Sequence, residues 1–309
     1  MLSKPQITVI IINWNGLDDT IECVKSLKTT DYENYKITIV DNNSNEFNKT
    51  KLKELQENYK DITLIFNESN LGFSGGNNIG IQQALREGAD YILLLNNDTI
   101  VEPSSFSKLI SVFEHDINAG IASPKINYYD FPDLVWSAGG KISKIRGSGF
   151  AIGNIKSDSI KEEIKEVSFV SGCCMLIKKD LFNKVGLLDE DFFLYLEDTD
   201  FCVRVKEAGF KIYVANNSVI YHKVSKSTFK LEKPISLYYT TRNRLLLVNK
   251  HFKHYLPLTF TYIIVTMLIK SLYWIFIGKS NNVKAVFYAI IDFLQDKKGI
   301  ISEEGFGKL

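Results

Sequence analysis

The 309-residue sequence has almost no net charge: 37 lysines and arginines nearly cancel 36 aspartates and glutamates, leaving +1. No overall field is available to hold a polyanion, so nucleic acid is a poor partner, although a local basic patch is compatible with the count. Cysteine is scarce too. Its four copies, Cys23, Cys173, Cys174 and Cys202, form no CxxC pair, and the adjacent two sit in an apolar run where they read as small buried hydrophobes rather than as a sign of an oxidising compartment. Met1–Gln6 passes directly into the strand-like Ile7–Ile12, too short and too abruptly polar afterwards for a signal peptide, so the bulk of the protein is expected in the cytoplasm. No internal repeat is apparent.

With 45% hydrophobic and 24% charged residues the chain can bury a full core, as one large domain or a domain plus an appendage. Apolar, β-branched runs recur at Ile7–Ile12, Lys36–Val40, Ile62–Phe66 and Tyr91–Leu95, with helical patterns between them at Leu17–Leu27, Leu52–Tyr59 and Asn77–Arg86. That alternation predicts βαβ units and a mainly parallel sheet covered by helices on both faces, with ligands bound beyond the carboxyl ends of the strands. From Ile121 to Lys178 the pattern shifts to short alternating segments, including Val135–Ile142 and Ser168–Ile177. The charged, glycine-bearing stretch Ser143–Lys165 reads as a mobile loop. A helix over Thr199–Gly209 and two short strands, Lys211–Val214 and Ser218–Tyr221, come next, and beyond Lys233 the pattern is helical.

Each of the first four strands ends in a polar, hydrogen-bonding loop. An Asn-rich or Gly-rich turn explains any one of them, and the set of four less well. Leu93–Leu95 delivers Asn96-Asn97-Asp98, whose carboxylate and amide oxygens suit a hard divalent cation; a plain turn with Asp98 as a cap is the alternative. The glycine-rich run Asn70–Asn78 offers backbone N–H groups to a diphosphate, yet its spacing is neither that of the dinucleotide fingerprint nor that of the P-loop. Phe192–Leu196 leads straight into Glu197-Asp198-Thr199-Asp200. Acids in a first helical turn are ordinary capping residues, but apolar surroundings raise a carboxyl pKa and poise a general base. His222 ends a strand, where a structural histidine is commoner than a ligand.

In order along the chain, Val9–Gly16, Val40–Ser44, Asn70–Asn77, Leu94–Asp98, Ser171–Met175, Glu197–Asp200 and Tyr221-His222 resemble glycosyltransferase family 2, in its rhamnosyltransferase-like branch, over roughly residues 7–250. The resemblance implies the GT-A fold: a Rossmann-like, mainly parallel α/β sheet flanked by helices. Residues 1–232 would be the catalytic domain, with a nucleotide-sugar half (about 1–120) and an acceptor half (about 121–232), and 233–309 a C-terminal helical appendage. It further implies an inverting transferase using Mg²⁺ or Mn²⁺, a nucleoside diphosphate sugar donor (rhamnose among the candidates) and a saccharide or lipid-linked acceptor of cell-surface glycan synthesis. Asn13, Asn15 and Asp41 would lie near the nucleoside, and Asn70, Gly72, Phe73, Gly75, Gly76 and Asn77 near the diphosphate and sugar. Asn96, Asn97 and Asp98 would occupy the DxD position, with Asp98 and His222 on the metal, Asp198 as general base and Glu197 as an orienting residue. The sequence departs from DxD at Asn96, which lacks the first carboxylate. Arg242 and Arg244 match a family motif and are candidate phosphate contacts.

Leu256–Ile277 carries Lys270 as its only charge and has cationic flanks at Lys250, Lys253, Lys279 and Lys284. With Tyr255, Tyr262, Tyr273 and Trp274 it suits a helix in the headgroup region of an anionic leaflet, which predicts peripheral attachment through 250–295 at the cytoplasmic face of the cell membrane. A helix buried on the catalytic domain or at a dimer interface, and a true span, are the alternatives. Two rival functions remain at this point: a non-catalytic module that binds nucleotide-sugar or glycan, favoured by Asn96, and a nicotinamide-dependent dehydrogenase, disfavoured by the missing glycine fingerprint.

Overall fold

The computed structural model describes residues 4–224, 233–302 and 307. Within them the chain runs β1 (Ile7–Asn13), α1 (Leu17–Leu27), β2 (Tyr35–Asp41), α2 (Glu46–Asn58), β3 (Ile62–Phe66), α3 (Gly72–Arg86), β4 (Tyr91–Asn96), β5 (Thr99–Val101), α4 (Ser105–His115) and β6 (Ala119–Tyr128). It continues β7 (Val135–Ser137), β8 (Gly140–Ser143), β9 (Ser148–Ala151), β10 (Ile164–Val167), β11 (Cys174–Lys178), α5 (Lys179–Val185), α6 (Glu197–Glu207), β12 (Lys211–His222), α7 (Pro234–His251), α8 (Leu256–Phe276) and α9 (Ser280–Leu294).

The main sheet has the order β10-β12-β6-β11-β4-β1-β2-β3, with β5 on β12 and β7 on β6. One half, β4-β1-β2-β3, is parallel; the other is mixed, with β11 antiparallel to both β4 and β6 and β12 parallel to β6. Both faces are buried, as the continuous apolar runs require. Ile7, Val9 and Ile11 pack with α1, α2 and α4 on one side, while Ile10 packs with Ile81 and Ala84 of α3 and Phe201 and Val205 of α6 on the other. All four cysteines lie buried and free.

Several boundaries differ from expectation for local reasons. α2 begins at Glu46 because Asn45 caps it, accepting from Asn48 N, a signal that lies upstream of the apolar pattern. α3 begins at Gly72, so most of the glycine-rich run is helix rather than loop. The stretch expected as a mobile loop, Ser143–Lys165, contains the end of β8, all of its hairpin partner β9 and the start of β10. Lys211–Val214 and Ser218–Tyr221 fuse into β12, whose register slips between Ala215 and Val219, so that a bulge was mistaken for a break. The helices α4 and α5 fall where no element was expected.

Helices α7–α9 form an apolar cluster of their own around Tyr238, Tyr239, Ile263 and Trp274, against which Phe193, Leu194 and Tyr195 also pack. The expected boundary at 232/233 abuts residues outside the described set.

Candidate active site

Parallel pairing sets Asn13 opposite Asp41 and Ile12 opposite Asn96, so three polar strand exits share one edge. The first two turn inward. Asn13 Nδ2 donates to Asp41 Oδ2 at 2.7 Å and to Ser44 Oγ at 3.1 Å, and Asp41 Oδ1 accepts from Ser44 N at 2.8 Å. Both residues are buried, so they form the floor beneath the cleft, while Asn15 Oδ1 holds Asn45 N at 3.0 Å.

Above that floor lies a cleft of about 770 Å³, lined on the sheet side by Trp14, Asn42, Asn70, Gly72, Phe73, Asn96, Asn97 and Asp98. Its other wall is Phe193, Leu194, Ile235, Tyr239, Ile300 and Ile301. The glycine-rich segment contributes less to it than its sequence suggests. Phe73 N already donates to Phe193 O at 2.8 Å, Asn77 is buried and donates to Phe73 O at 2.9 Å, and Gly76 packs on the Asn42 side chain and Gly75 on Leu71. These amides are committed to helix packing. Gly72, with φ +71 and no room for a Cβ against the Phe193 carbonyl, lets the helix start directly at the cleft wall.

Asp98 and His222 meet although 124 residues separate them, because β12 pairs His222 with Thr99 of β5. His222 Nε2 lies 3.0 Å from Asp98 Oδ1; its Nδ1 is buried with no partner, and Trp136 meets the ring edge-on. Among the described residues no group of three or more His, Cys, Asp or Glu side chains is arranged to hold a metal ion by itself. One carboxylate and one imidazole, with the amides of Asn96 and Asn97 nearby, suit a hard cation that takes its remaining oxygens from a diphosphate and water. Asn97 Nδ2 is held by Thr20 Oγ1 at 3.0 Å and Gly16 O at 3.2 Å.

Across the cleft, the chain enters α6 through three non-glycine residues at positive φ: Phe193 (55°), Tyr195 (68°) and Leu196 (72°). Such backbone costs about 1–3 kcal/mol per residue and persists only where surroundings over-determine it. It presents Glu197 and Asp198 in the first turn of α6. Asp198 Oδ2 accepts from Gly172 N at 3.0 Å and Oδ1 from Thr199 N at 2.6 Å, so burial raises its pKa while these bonds oppose the rise. Glu197 is more extreme: buried, with Oε2 unpartnered, it is pushed well above the usual carboxylate range by desolvation and then by the Asp198 charge. Gly172 sits between Asp198 and the Phe73 ring at the cleft wall.

The third acid has a different task. Asp200, fully buried, accepts from Arg204 Nε at 2.8 Å and from Lys250 Nζ and His251 Nε2 at 2.7 Å each. Burial alone would raise its pKa; His251, Arg204 and Lys250 together hold it down to about 2. The two arginines expected at phosphates are also committed elsewhere. Arg242 is buried, its guanidinium on Asn243 Oδ1, the Tyr238 hydroxyl and the Asp191 carbonyl. Arg244 donates to the Arg146 carbonyl and faces the Tyr262 ring. Not among the sequence-predicted site residues are Trp14 and Asn42, though both stand inside the family-like runs Val9–Gly16 and Val40–Ser44, and the wall residues Ile235, Tyr239, Ile300 and Ile301.

The sequence profile of glycosyl transferase family 2 matches residues 8–186. The chain belongs to that family. It is similar to the dTDP-rhamnosyl transferase RfbF of Shigella flexneri, 26% identical over 71% of this chain and 72% of that protein. It is also similar to the low-salt glycan biosynthesis hexosyltransferase Agl10 of Haloferax volcanii, 28% identical over 80% of this chain and 76% of that one. Among solved structures, a mannosyltransferase of Pyrobaculum calidifontis in complex with GDP-Man and Mn²⁺ superposes with a TM-score of 0.62 at 13% identity, covering 96% of this chain and 89% of that one. The fold is therefore GT-A with C-terminal helices, and the protein is a family 2 glycosyltransferase of the rhamnosyltransferase-like branch. The dehydrogenase reading is set aside.

Proposed function

We propose that this glycosyltransferase inverts the anomeric centre in a single displacement, with a divalent metal on the donor diphosphate and Asp198 as the general base. The observation that supports this reading is that Asp98, beside His222, and Phe73, which meets Asp198 through Gly172, belong to the lining of one cleft. When bound, Mg²⁺ or Mn²⁺ supplies positive charge to the leaving diphosphate, and Asp98 and His222 would hold it. Asp198 takes the proton from the acceptor hydroxyl. Its three hydrogen-bond donors orient it and favour its ionised form, whereas neighbouring Glu197 stays protonated, a division that assigns one acid each role.

The donor is a nucleoside diphosphate hexose, and the name of the Shigella relative makes dTDP-rhamnose the first to test. The acceptor is a saccharide on a lipid carrier: Leu194, Ile235, Ile300 and Trp14 give the cleft an apolar rim that a free sugar does not need. Release of the nucleoside diphosphate, followed with a panel of nucleotide sugars with and without Mn²⁺ and acceptor, tests the reading. Binding without turnover of any donor would favour the non-catalytic module instead.

Attachment to an anionic leaflet belongs to the same reading. One face of α8, with Ile263, Met267 and Trp274, is buried on its neighbours, and Thr259 Oγ1 is tied to Lys144 O at 3.0 Å. The opposite face is apolar and bare, with Leu272 73% and Phe276 89% exposed beside Leu268, Ile269 and Ile275. Spanning would strip the buried face from α7 and α9, whereas lying in the headgroup region covers the bare face and leaves Lys253, Lys279 and Lys284 at lipid phosphates. Cosedimentation with phosphatidylglycerol vesicles, reversed by carbonate, is the expected result; a carbonate-resistant pellet would indicate a span, and a soluble dimer with no pellet a protein interface.

A further inference from the structure

The strained turn that carries the acids is held from a distance. Asn243, in the middle of α7 and fully buried, donates from its one amide nitrogen to three carbonyls: Phe192 O at 2.7 Å, Leu194 O at 2.9 Å and Tyr195 O at 2.9 Å. Its Oδ1 accepts from Arg242 Nε at 3.1 Å, which fixes the amide's orientation so that the nitrogen, and not the oxygen, faces the turn. Two of those carbonyls belong to Phe192 and Leu194, which flank the left-handed Phe193, and the third to Tyr195, itself left-handed and followed by the left-handed Leu196. An extended strand would alternate such neighbouring carbonyls, and a helix would run them parallel along its axis. Their convergence on one donor group is a consequence of the positive-φ turn; the amide's two hydrogens are shared among the three oxygens, of which Phe192 O also accepts from Leu194 N.

The same turn faces the donor side. Phe193 O accepts from Phe73 N at 2.8 Å at the start of α3, and the Phe193 ring stacks on Tyr239 with centroids 5.2 Å apart. Immediately after it come Glu197 and Asp198. Asn243 therefore sits behind a single segment that joins the donor helix, the apolar cleft wall and the acids.

We propose that Asn243 is a positioning residue for transfer: it sets the conformation of Phe193–Leu196 and through it the placement and dryness of the acid pair, without touching substrate. The inference rests on the reading of Asp198 as base. An aspartate in its place has nearly the same shape but turns an acceptor toward three carbonyls, so the turn must open and admit water.

The test uses the full chain with its metal and whichever donor and acceptor prove active, comparing wild type with Asn243→Asp. Expected are a kcat for transfer reduced at least tenfold, a donor KM changed by less than about threefold, and faster amide hydrogen exchange confined to the peptide spanning 192–199. The acidic limb of the kcat–pH profile is expected at lower pH, because water reaching the acids removes the desolvation that raises them. Loss of active protein alone would lower kcat without moving that limb. If Asn243→Asp does not fold, Asn243→Ser carries the test, since a hydroxyl fits the space and offers one donor. Unchanged exchange at 192–199 in a folded variant overturns the proposal whatever the base. If Asp198→Asn proves nearly as active as wild type while the Asn243 variant still loosens this peptide, the base assignment has failed and the clamp has not.

Discussion

The turn Asn96–Asp98 and the loop Phe193–Asp200 both border one cleft and both carry carboxylates, and they are built in opposite ways. Asp98 stands at the exit of a buried parallel strand, and its partner His222 arrives through ordinary strand pairing. Nothing there needs unusual backbone. Glu197 and Asp198 stand instead on three left-handed residues that only remote groups hold in place: Asn243 of α7 behind the turn, and Lys250 and His251 clamping Asp200 one helical turn on. The Asn96–Asp98 turn, proposed to hold the metal, takes its position from the sheet, whereas the acid loop takes its position from the C-terminal helices.

That contrast predicts that lesions at the metal turn act on chemistry while leaving the fold intact, and the largest effect belongs there. Asp98→Ala should cut transfer by about 10³–10⁴-fold, because the leaving diphosphate loses charge stabilisation of several kcal/mol. Its melting temperature should stay within a few degrees of wild type, and EDTA should reproduce the loss in wild type but add little in the variant. Transfer that survives both would remove the metal from the mechanism. Next in size is Asp198→Asn, with a loss of about 10²–10³-fold, the range of a general base. The readout that separates it from Asp98→Ala is donor affinity, which should be unchanged in Asp198→Asn and weakened, together with its Mn²⁺ dependence, in Asp98→Ala.

How much of this was legible in the sequence follows from the same contrast. Strand runs, their polar exits and the Asp98–His222 pairing were readable because β periodicity fixes which residues reach an edge and the ordered motifs resemble the family. The conformation of the glycine-rich run was not: Gly72, Gly75 and Gly76 look like a loop in isolation, and only the packing of Asn42 and Phe193 against Gly76 and Gly72 shows that they let a helix start beside a wall. Arg242 and Arg244 stand out in a sequence because charge is visible there, whereas the burial of Arg242 and the carbonyl that Arg244 holds are not. The cleft's far wall was hidden for a plainer reason, since Ile235, Ile300 and Ile301 belong to segments whose tertiary position no local pattern encodes.

The loop side of the contrast predicts stability effects that the metal turn lacks. Asp200 has its carboxyl held down to about 2, against about 3.9 in an unfolded chain, so its contribution of about 2–3 kcal/mol is fully present above the unfolded value and is lost as pH falls through the folded one. Asp200→Asn should therefore lower unfolding free energy by about that amount at pH 7, with the deficit shrinking toward pH 2. Denaturant unfolding at a series of pH values measures it. A deficit that does not depend on pH would mean that packing, and not the ionised carboxylate, ties α6 to α7.

The smallest effect on turnover is expected at Glu197, and its sign with pH is the reverse of that at Asp200. Burial, and then the Asp198 charge, raise the Glu197 pKa well above its usual range, so the folded protein holds this proton more tightly than the unfolded chain does. Its penalty is absent below the unfolded carboxyl value of about 4.3 and grows as pH rises toward the folded value. A glutamine keeps the shape of the protonated acid that burial favours, but never ionises. Glu197→Gln should cost transfer only about threefold to tenfold, the scale of one altered hydrogen bond, and should raise the melting temperature more at pH 8 than at pH 5. An equal shift at both pH values would show that Glu197 is already ionised in the folded protein, and a loss as large as that of Asp198→Asn would give the two acids a shared proton and dissolve the division of roles between them.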